Sequence, residues 1–182
     1  MLTNFEIEEL AHKMNIDCIQ GCYYKDELIS GSNRILKPEP NKAYIINLAS
    51  SHDNNDGTHW TCLYSRKNRQ TSTIDYIYFD STGCIYPNEV LQFVGGSRIP
   101  YNKKQVQSQL NNACGFWVLA FLYWISVWEH RSHVLYVDCE DFLGLFDDNL
   151  NDQVDIMKNE FILSQFFQEA PIDDDKKESI VG

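Results

Sequence analysis

Positive charge is scarce in this chain. Its 15 Lys and Arg stand against 26 Asp and Glu, a formal net charge of −11. Such a surface is repelled by phosphate backbones unless its basic residues cluster, because nucleic-acid affinity comes from Lys and Arg displacing counterions. The basic groups here are short: Arg66-Lys67-Asn68-Arg69, Lys103-Lys104 and Lys176-Lys177. Each reads as a solvated turn, so nucleic-acid binding is not expected. Long apolar runs are missing as well. The one extended stretch, Phe116 to Val127, falls short of the roughly 20 residues a membrane helix needs. The opening segment is amphipathic and charged, so neither a signal peptide nor a membrane anchor is expected. Internal repeats and low-complexity segments are absent too. With 43% hydrophobic residues and 182 positions in all, one compact domain over 1–170 is expected, followed by an acidic mobile tail over 171–182.

Cysteine is not scarce. Six occur, at 18, 22, 62, 84, 114 and 139. Without a secretory signal these read as reduced thiols rather than a disulfide framework. Cys18-x3-Cys22 and His59-x2-Cys62 have a faint zinc-like spacing, but Cys62 falls in an apparent strand, where a free cysteine behaves as a small hydrophobe. No metal and no cofactor are expected.

Periodicity outlines the elements. Thr3-Asn4-Phe5-Glu6 reads as a capping box, with Leu2 and Ile7 placed as a hydrophobic staple. Ile7, Leu10, Ala11 and Met14 then share one face, predicting a helix to about Met14. Gly21 to Ser32 reads as turn-rich. Ala43 to Ala49 is a predicted strand, and Ser50 to Gly57 a polar loop that delivers His59. Trp60 to Ser65 and Ile74 to Asp80 read as a hairpin, and Pro87 opens a short helix through Val94. Ile99 to Gln107 reads as extended. Cys114 to Trp128 is apolar almost all round, predicting a central buried helix that Asn111 or Asn112 caps. A second amphipathic helix is expected from about Asp152 to Phe167.

On this scaffold sit His59, Asp80, Gln107 and Cys114, each the residue type one step of thiol catalysis needs. A thiol is nucleophilic as thiolate, which an imidazole and a helix N-terminus both favour. A carboxylate holds the imidazole in its productive tautomer, and a side-chain amide offers a donor to a developing oxyanion. Antiparallel strands would bring the His59 and Asp80 ends to one side. The bland readings are a core cysteine, a surface histidine and a turn-capping aspartate. Gln105 and Gln109 compete with Gln107, while His52, His130 and His133 are alternative bases.

The segments Gly57-Thr58-His59-Trp60, Tyr78-Phe79-Asp80-Ser81-Thr82-Gly83 and Gln107 to Cys114-Gly115 resemble the adenovirus-type cysteine proteases and the wider group that includes the SUMO-specific Ulp-type peptidases. Gln20 to Leu28 and Ala43 to Leu48 resemble that family's N-terminal part. The short length is most similar to the maturation proteases of virophages and Polinton/Maverick-type elements. The resemblance implies an α+β fold, with a central buried helix carrying the cysteine packed on a mixed β-sheet carrying His and Asp. It implies Cys114 as nucleophile, His59 as base, Asp80 as its orienting acid and Gln107 as oxyanion donor. It further implies Trp60 as part of a narrow glycine channel, with Tyr24 and Asp26 as further substrate contacts. The implied activity is cleavage of capsid or other virion precursors, by a monomer acting in the virion and the host cytoplasm. Deubiquitinase or deSUMOylase activity and a silent binding module are the alternatives. The acidic surface argues against a DNA cofactor. No cysteine lies between Cys84 and Cys114, which argues against a disulfide-tethered activating peptide.

Overall fold

In the computed structural model, residues 1–29, 37–53, 58–68, 70–109, 111–128 and 135–168 are described. The expected tail over 171–182, and His130 and His133, lie outside them. The first helix, α1 (Asn4–Lys13), begins on the predicted box: Glu6 N–H donates to Thr3 Oγ1 at 3.2 Å and Thr3 N–H to Glu6 Oε2 at 2.8 Å. Such a cap is worth about 1 kcal/mol. Ile7, Ala11 and Met14 are buried beneath it.

Four strands follow, β1 (Ile19–Tyr24), β2 (Ala43–Asn47), β3 (Trp60–Lys67) and β4 (Ile74–Phe79), lying side by side in chain order. β1 runs parallel to β2, and the other two pairings are antiparallel. The sheet is mixed, as expected. Every residue of β2 is buried, because both faces of the sheet are covered and no alternating polar face is needed. On one face Ala43, Ile45, Trp60, Cys62, Tyr64, Ile77 and Phe79 join the main core. On the other, Tyr44, Ile46, Leu63 and Tyr78 pack on Leu28, Val90, Phe93 and Ile99. Val90 and Phe93 belong to α2 (Asn88–Phe93), the short helix that Pro87 starts.

The main core is built around α3 (Cys114–Trp128), which contacts β3, α1, α4 (Leu135–Leu143) and α5 (Gln153–Gln168). Trp117 through Leu122 are fully buried, so this helix does lack a polar face. Phe121 stacks on Phe79 with ring centroids 4.3 Å apart, and Phe142 of α4 meets both rings edge-on. The nucleophile candidate therefore opens an element that the surrounding layers hold on every side.

One expectation needs correction. The described part of Gly21 to Ser32, which ends at Ile29, is not simply turn-rich: Ile19–Tyr24 is a strand, and a 3-10 helix occupies Lys25–Leu28. The edge of β2 supplies backbone partners that outweigh the turn signal, and a register irregularity between Ile19 and Gly21 absorbs the glycine. Ile99 to Gln107, read as extended, forms no strand of the sheet. Its one bridge pairs Tyr101 with Tyr78, since Pro100 has no N–H to continue a ladder. The helix α4, which no periodicity announced, carries Asp138 inward to meet Arg66 of β3.

Candidate active site

Three of the four predicted catalytic positions converge. Cys114 is the first residue of α3 and His59 immediately precedes β3. Asp80 immediately follows β4. Because β3 and β4 are antiparallel, with Cys62 opposite Phe79, His59 and Asp80 emerge at the same sheet end. His59 Nε2 lies 2.8 Å from Asp80 Oδ1, which leaves Nδ1 as the nitrogen for the thiol. His59 and Cys114 each shift the protonation of the other. The Trp60 backbone N–H also donates to Cys114 Sγ, at 3.4 Å.

These contacts govern protonation. Burial alone would push the Cys114 thiol up. The hydrogen bond with His59, the Trp60 N–H, the imidazolium charge and the Gly115 N–H outweigh it and pull the thiol below its ordinary range. Burial likewise disfavours charge on His59, yet its bonds to Asp80 and Cys114 and the negative charge of both partners push it up to about 10. Both shifts favour a thiolate–imidazolium pair at neutral pH. Such a pair is a ready nucleophile with its proton donor in place.

Asp80 is completely buried. Its Oδ1 accepts from Thr82 N–H at 2.8 Å and Thr82 Oγ1 at 2.7 Å as well as facing His59, while Oδ2 has no hydrogen-bond partner among the described residues. Its backbone is gripped from both sides. Asp80 N–H donates to Asn102 Oδ1 at 2.8 Å, and Asn102 Nδ2 donates back to Asp80 O at 2.6 Å. Asn102 thus acts as a surrogate ladder partner where β4 ends.

Gln107 is buried on the strap that follows Asn102. Its Nε2 donates to Asn111 O at 2.9 Å, and its Oε1 accepts from Ser81 Oγ at 2.6 Å. The competing amides are placed differently. Gln105 Nε2 is used on Gln107 O at 2.9 Å, and Gln109 is exposed. Asn111 Oδ1 accepts from Ala113 N–H at 3.3 Å just ahead of α3, close to its expected capping role. His52 is exposed in its loop.

The three expected substrate contacts lie at the same end of the sheet, since Tyr24 pairs with Asn47 and Asn47 with Trp60. Trp60 is 4% exposed; its Nε1–H donates to Leu2 O at 2.7 Å. Leu2 also sits on Gly115, where an added Cβ would lie 3.1 Å from Leu2 Cδ1. Tyr24 is half-buried, its N–H bonded to Glu27 Oε2 at 2.8 Å. Asp26 accepts from Ser51 N–H at 2.8 Å and Ser51 Oγ at 2.6 Å, tying down the start of the loop that leads to His59. Those bonds outweigh a burial effect of opposite sign and hold the Asp26 carboxyl below its usual range. Asn47 Oδ1 holds both ends of the loop together, accepting from Ala49 N–H ahead of it at 2.9 Å and from Thr58 N–H after it at 3.4 Å.

Asn47, Ser81, Thr82 and Asn102 were given no role at the site by the sequence reading, although Ser81 and Thr82 fall in the segment that carries the resemblance. Asn, Ser and Thr at strand ends look like ordinary turn formers. The available signal was position: each stands within two residues of a strand end or of Asp80, or on the stretch leading to Gln107. The zinc-like spacing does not assemble, because His59 faces Asp80 and Cys62 lies in the core. Among the described residues no group of three or more His, Cys, Asp or Glu is placed to hold a metal.

No protein-family model and no curated protein sequence matches the chain. Among solved structures, one described as the crystal structure of the de-sumoylating protease is similar at 12% identity, over 91% of this chain and 78% of that one, with a TM-score of 0.38. A likeness of that size carries no weight for fold or function.

Proposed function

We propose that this chain is a cysteine endopeptidase with Cys114 as nucleophile. The observation that carries the proposal is His59 standing between a buried carboxylate and a thiol at a helix start, with the thiol drawn toward its anion. In the proposed reaction the Cys114 thiolate attacks the scissile carbonyl, and the tetrahedral oxyanion accepts hydrogen bonds from Gln107 Nε2–H and backbone N–H groups near Cys114. The imidazolium of His59 protonates the departing amine as the C–N bond breaks. His59, now neutral, takes a proton from water as the water attacks the thioester, and acid and thiolate are released. Asp80 keeps the ring oriented throughout.

The substrate is a protein cleaved after glycine-containing sequence, and the natural targets are capsid or other virion precursors met in the virion and the host cytoplasm. The resemblance of the segments around His59, Asp80 and Cys114 supports that finer reading. Trp60, Tyr24 and Asp26 are the proposed walls of the substrate channel, the enzyme works as a monomer, and it needs neither metal nor DNA. Incubating wild type and Cys114→Ala with the structural precursors encoded beside it, and in parallel with ubiquitin-like fusions, tests this. Mass-spectrometric mapping should find new termini after glycine with wild type alone, in the structural precursors. Cleavage confined to the fusions moves the substrate to a folded modifier, and equal termini with Cys114→Ala remove the peptidase reading.

A further inference from the structure

Ser81 lies between the two halves of the proposed machinery. It follows Asp80 directly, is completely buried, and meets Gln107 twice. Its carbonyl accepts from Gln107 N–H at 3.1 Å and from the neighbouring Val106 N–H at 2.9 Å. Its hydroxyl donates to Gln107 Oε1 at 2.6 Å. On the far side of the amide stands Asn111 O, which only accepts, so the nitrogen of Gln107 must face it and the oxygen must face Ser81. That carbonyl is itself anchored, since Asn111 Oδ1 accepts from Ala113 N–H at 3.3 Å and Asn111 Nδ2 donates to Glu160 Oε1 at 2.8 Å. An amide nitrogen carries two hydrogens, and Asn111 O takes one.

We infer that Ser81 is a positioning residue whose hydroxyl holds the Gln107 amide so that its second Nε2 hydrogen is aimed at the oxyanion. The inference rests on the peptidase reading and deepens it. Preorganisation gives such a contact its value: a donor already aimed needs no reorganisation when charge develops. Without the hydroxyl, Oε1 is left buried and unsatisfied, and the amide turns to find another donor. The backbone bonds from Ser81 O survive Ser81→Ala, so this substitution isolates the hydroxyl.

Four proteins decide the matter: wild type, Ser81→Ala, Gln107→Ala and the double variant. Each is assayed for peptide hydrolysis and for alkylation of Cys114 by iodoacetamide, which builds no oxyanion. Gln107→Ala should lower kcat about 100-fold and Ser81→Ala about tenfold, with KM unchanged. The double variant should be no slower than Gln107→Ala, and alkylation should run at the wild-type rate in all four. Losses that multiply in the double variant overturn the inference, as does alkylation falling in step with hydrolysis or an unaffected kcat in Ser81→Ala. Ser81→Cys, which keeps a weak donor, replaces the alanine variant if that melts below assay temperature, and should retain part of the lost rate.

A spectrum separates this inference from the peptidase reading. The Gln107 side-chain amide pair, assigned in a ¹H–¹⁵N spectrum by its loss in Gln107→Ala, should shift and broaden in Ser81→Ala. If wild type hydrolyses nothing, the peptidase reading falls, and the spectrum still reports whether Ser81 holds the amide. An unmoved pair of resonances overturns the positioning role whatever the kinetics.

Discussion

At the residue scale the site is a chain of committed hydrogen bonds in which few groups have freedom left. Asn102 shows the principle best. It touches none of the reacting atoms, yet its amide satisfies both backbone groups of Asp80 and also donates to Lys104 O at 3.0 Å. Asn102→Ala leaves the buried Asp80 N–H unsatisfied and removes one of the two donors to its C=O, the Gly83 N–H remaining, at a cost of about 1–3 kcal/mol. Urea denaturation should show that loss, and hydrolysis should fall further than the folded fraction explains, because Asp80 no longer meets His59 squarely. Equal falls in hydrolysis and folded fraction would make Asn102 a structural residue only. The three candidates that converge, His59, Asp80 and Cys114, were legible in the sequence because thiol chemistry names its residue types in advance. Asn102 and Ser81 were not, since an asparagine or serine beside a turn has many local uses and only the folded chain selects one.

At the element scale, the site depends on two segments approaching closely: the turn after β4 and the strap from Pro100 to Gln107. Gly83 is the contact point. Its φ of +74° lies in the left-handed region, and a Cβ there would come within 2.7 Å of Lys103 O. Both the torsion and the clash involve backbone that cannot easily yield. Gly83→Ala should therefore destabilise the fold by about 1–3 kcal/mol, seen as a lower melting temperature, and should displace Gln107 as the strap withdraws. A wild-type melt would show that the turn has room to relax. The strongly periodic elements, α1, β2, the β3–β4 pair, α3 and α5, were foreseeable from side-chain pattern alone. β1 and the irregular strap were not, because backbone pairing with distant segments decides them and leaves little trace in local sequence.

At the scale of the whole molecule, two apolar layers sandwich the sheet, and a buried ion pair fixes how α4 joins it. Arg66 NH1 on β3 donates to Asp138 on α4, with both side chains less than a tenth exposed. Arg66 lies six residues along β3 from Trp60, roughly 20 Å from the site end of the strand. Asp138→Ala strands a buried guanidinium and should cost about 3–5 kcal/mol. An Arg66→Met, Asp138→Leu pair should recover most of that in a denaturant melt, with hydrolysis per folded molecule unchanged in both. Failure of the apolar pair to recover stability would mean the ion pair specifies the docking of α4. α5 leaves Val154, Met157 and Phe161 more than half exposed, so its apolar pattern overstated how much of the helix the core absorbs.

The central claim is that one of six thiols is held near its anion by His59. Alkylation by iodoacetamide, followed cysteine by cysteine by mass spectrometry across pH, measures this directly. The account predicts that Cys114 reacts fastest. Its reaction should fade only as pH drops through a midpoint below the ordinary thiol value of 9.0, because acid returns the proton to sulfur, and in His59→Ala that midpoint should rise. A Cys114 that reacts no faster than exposed Cys84, with the same midpoint in wild type and His59→Ala, would contradict it.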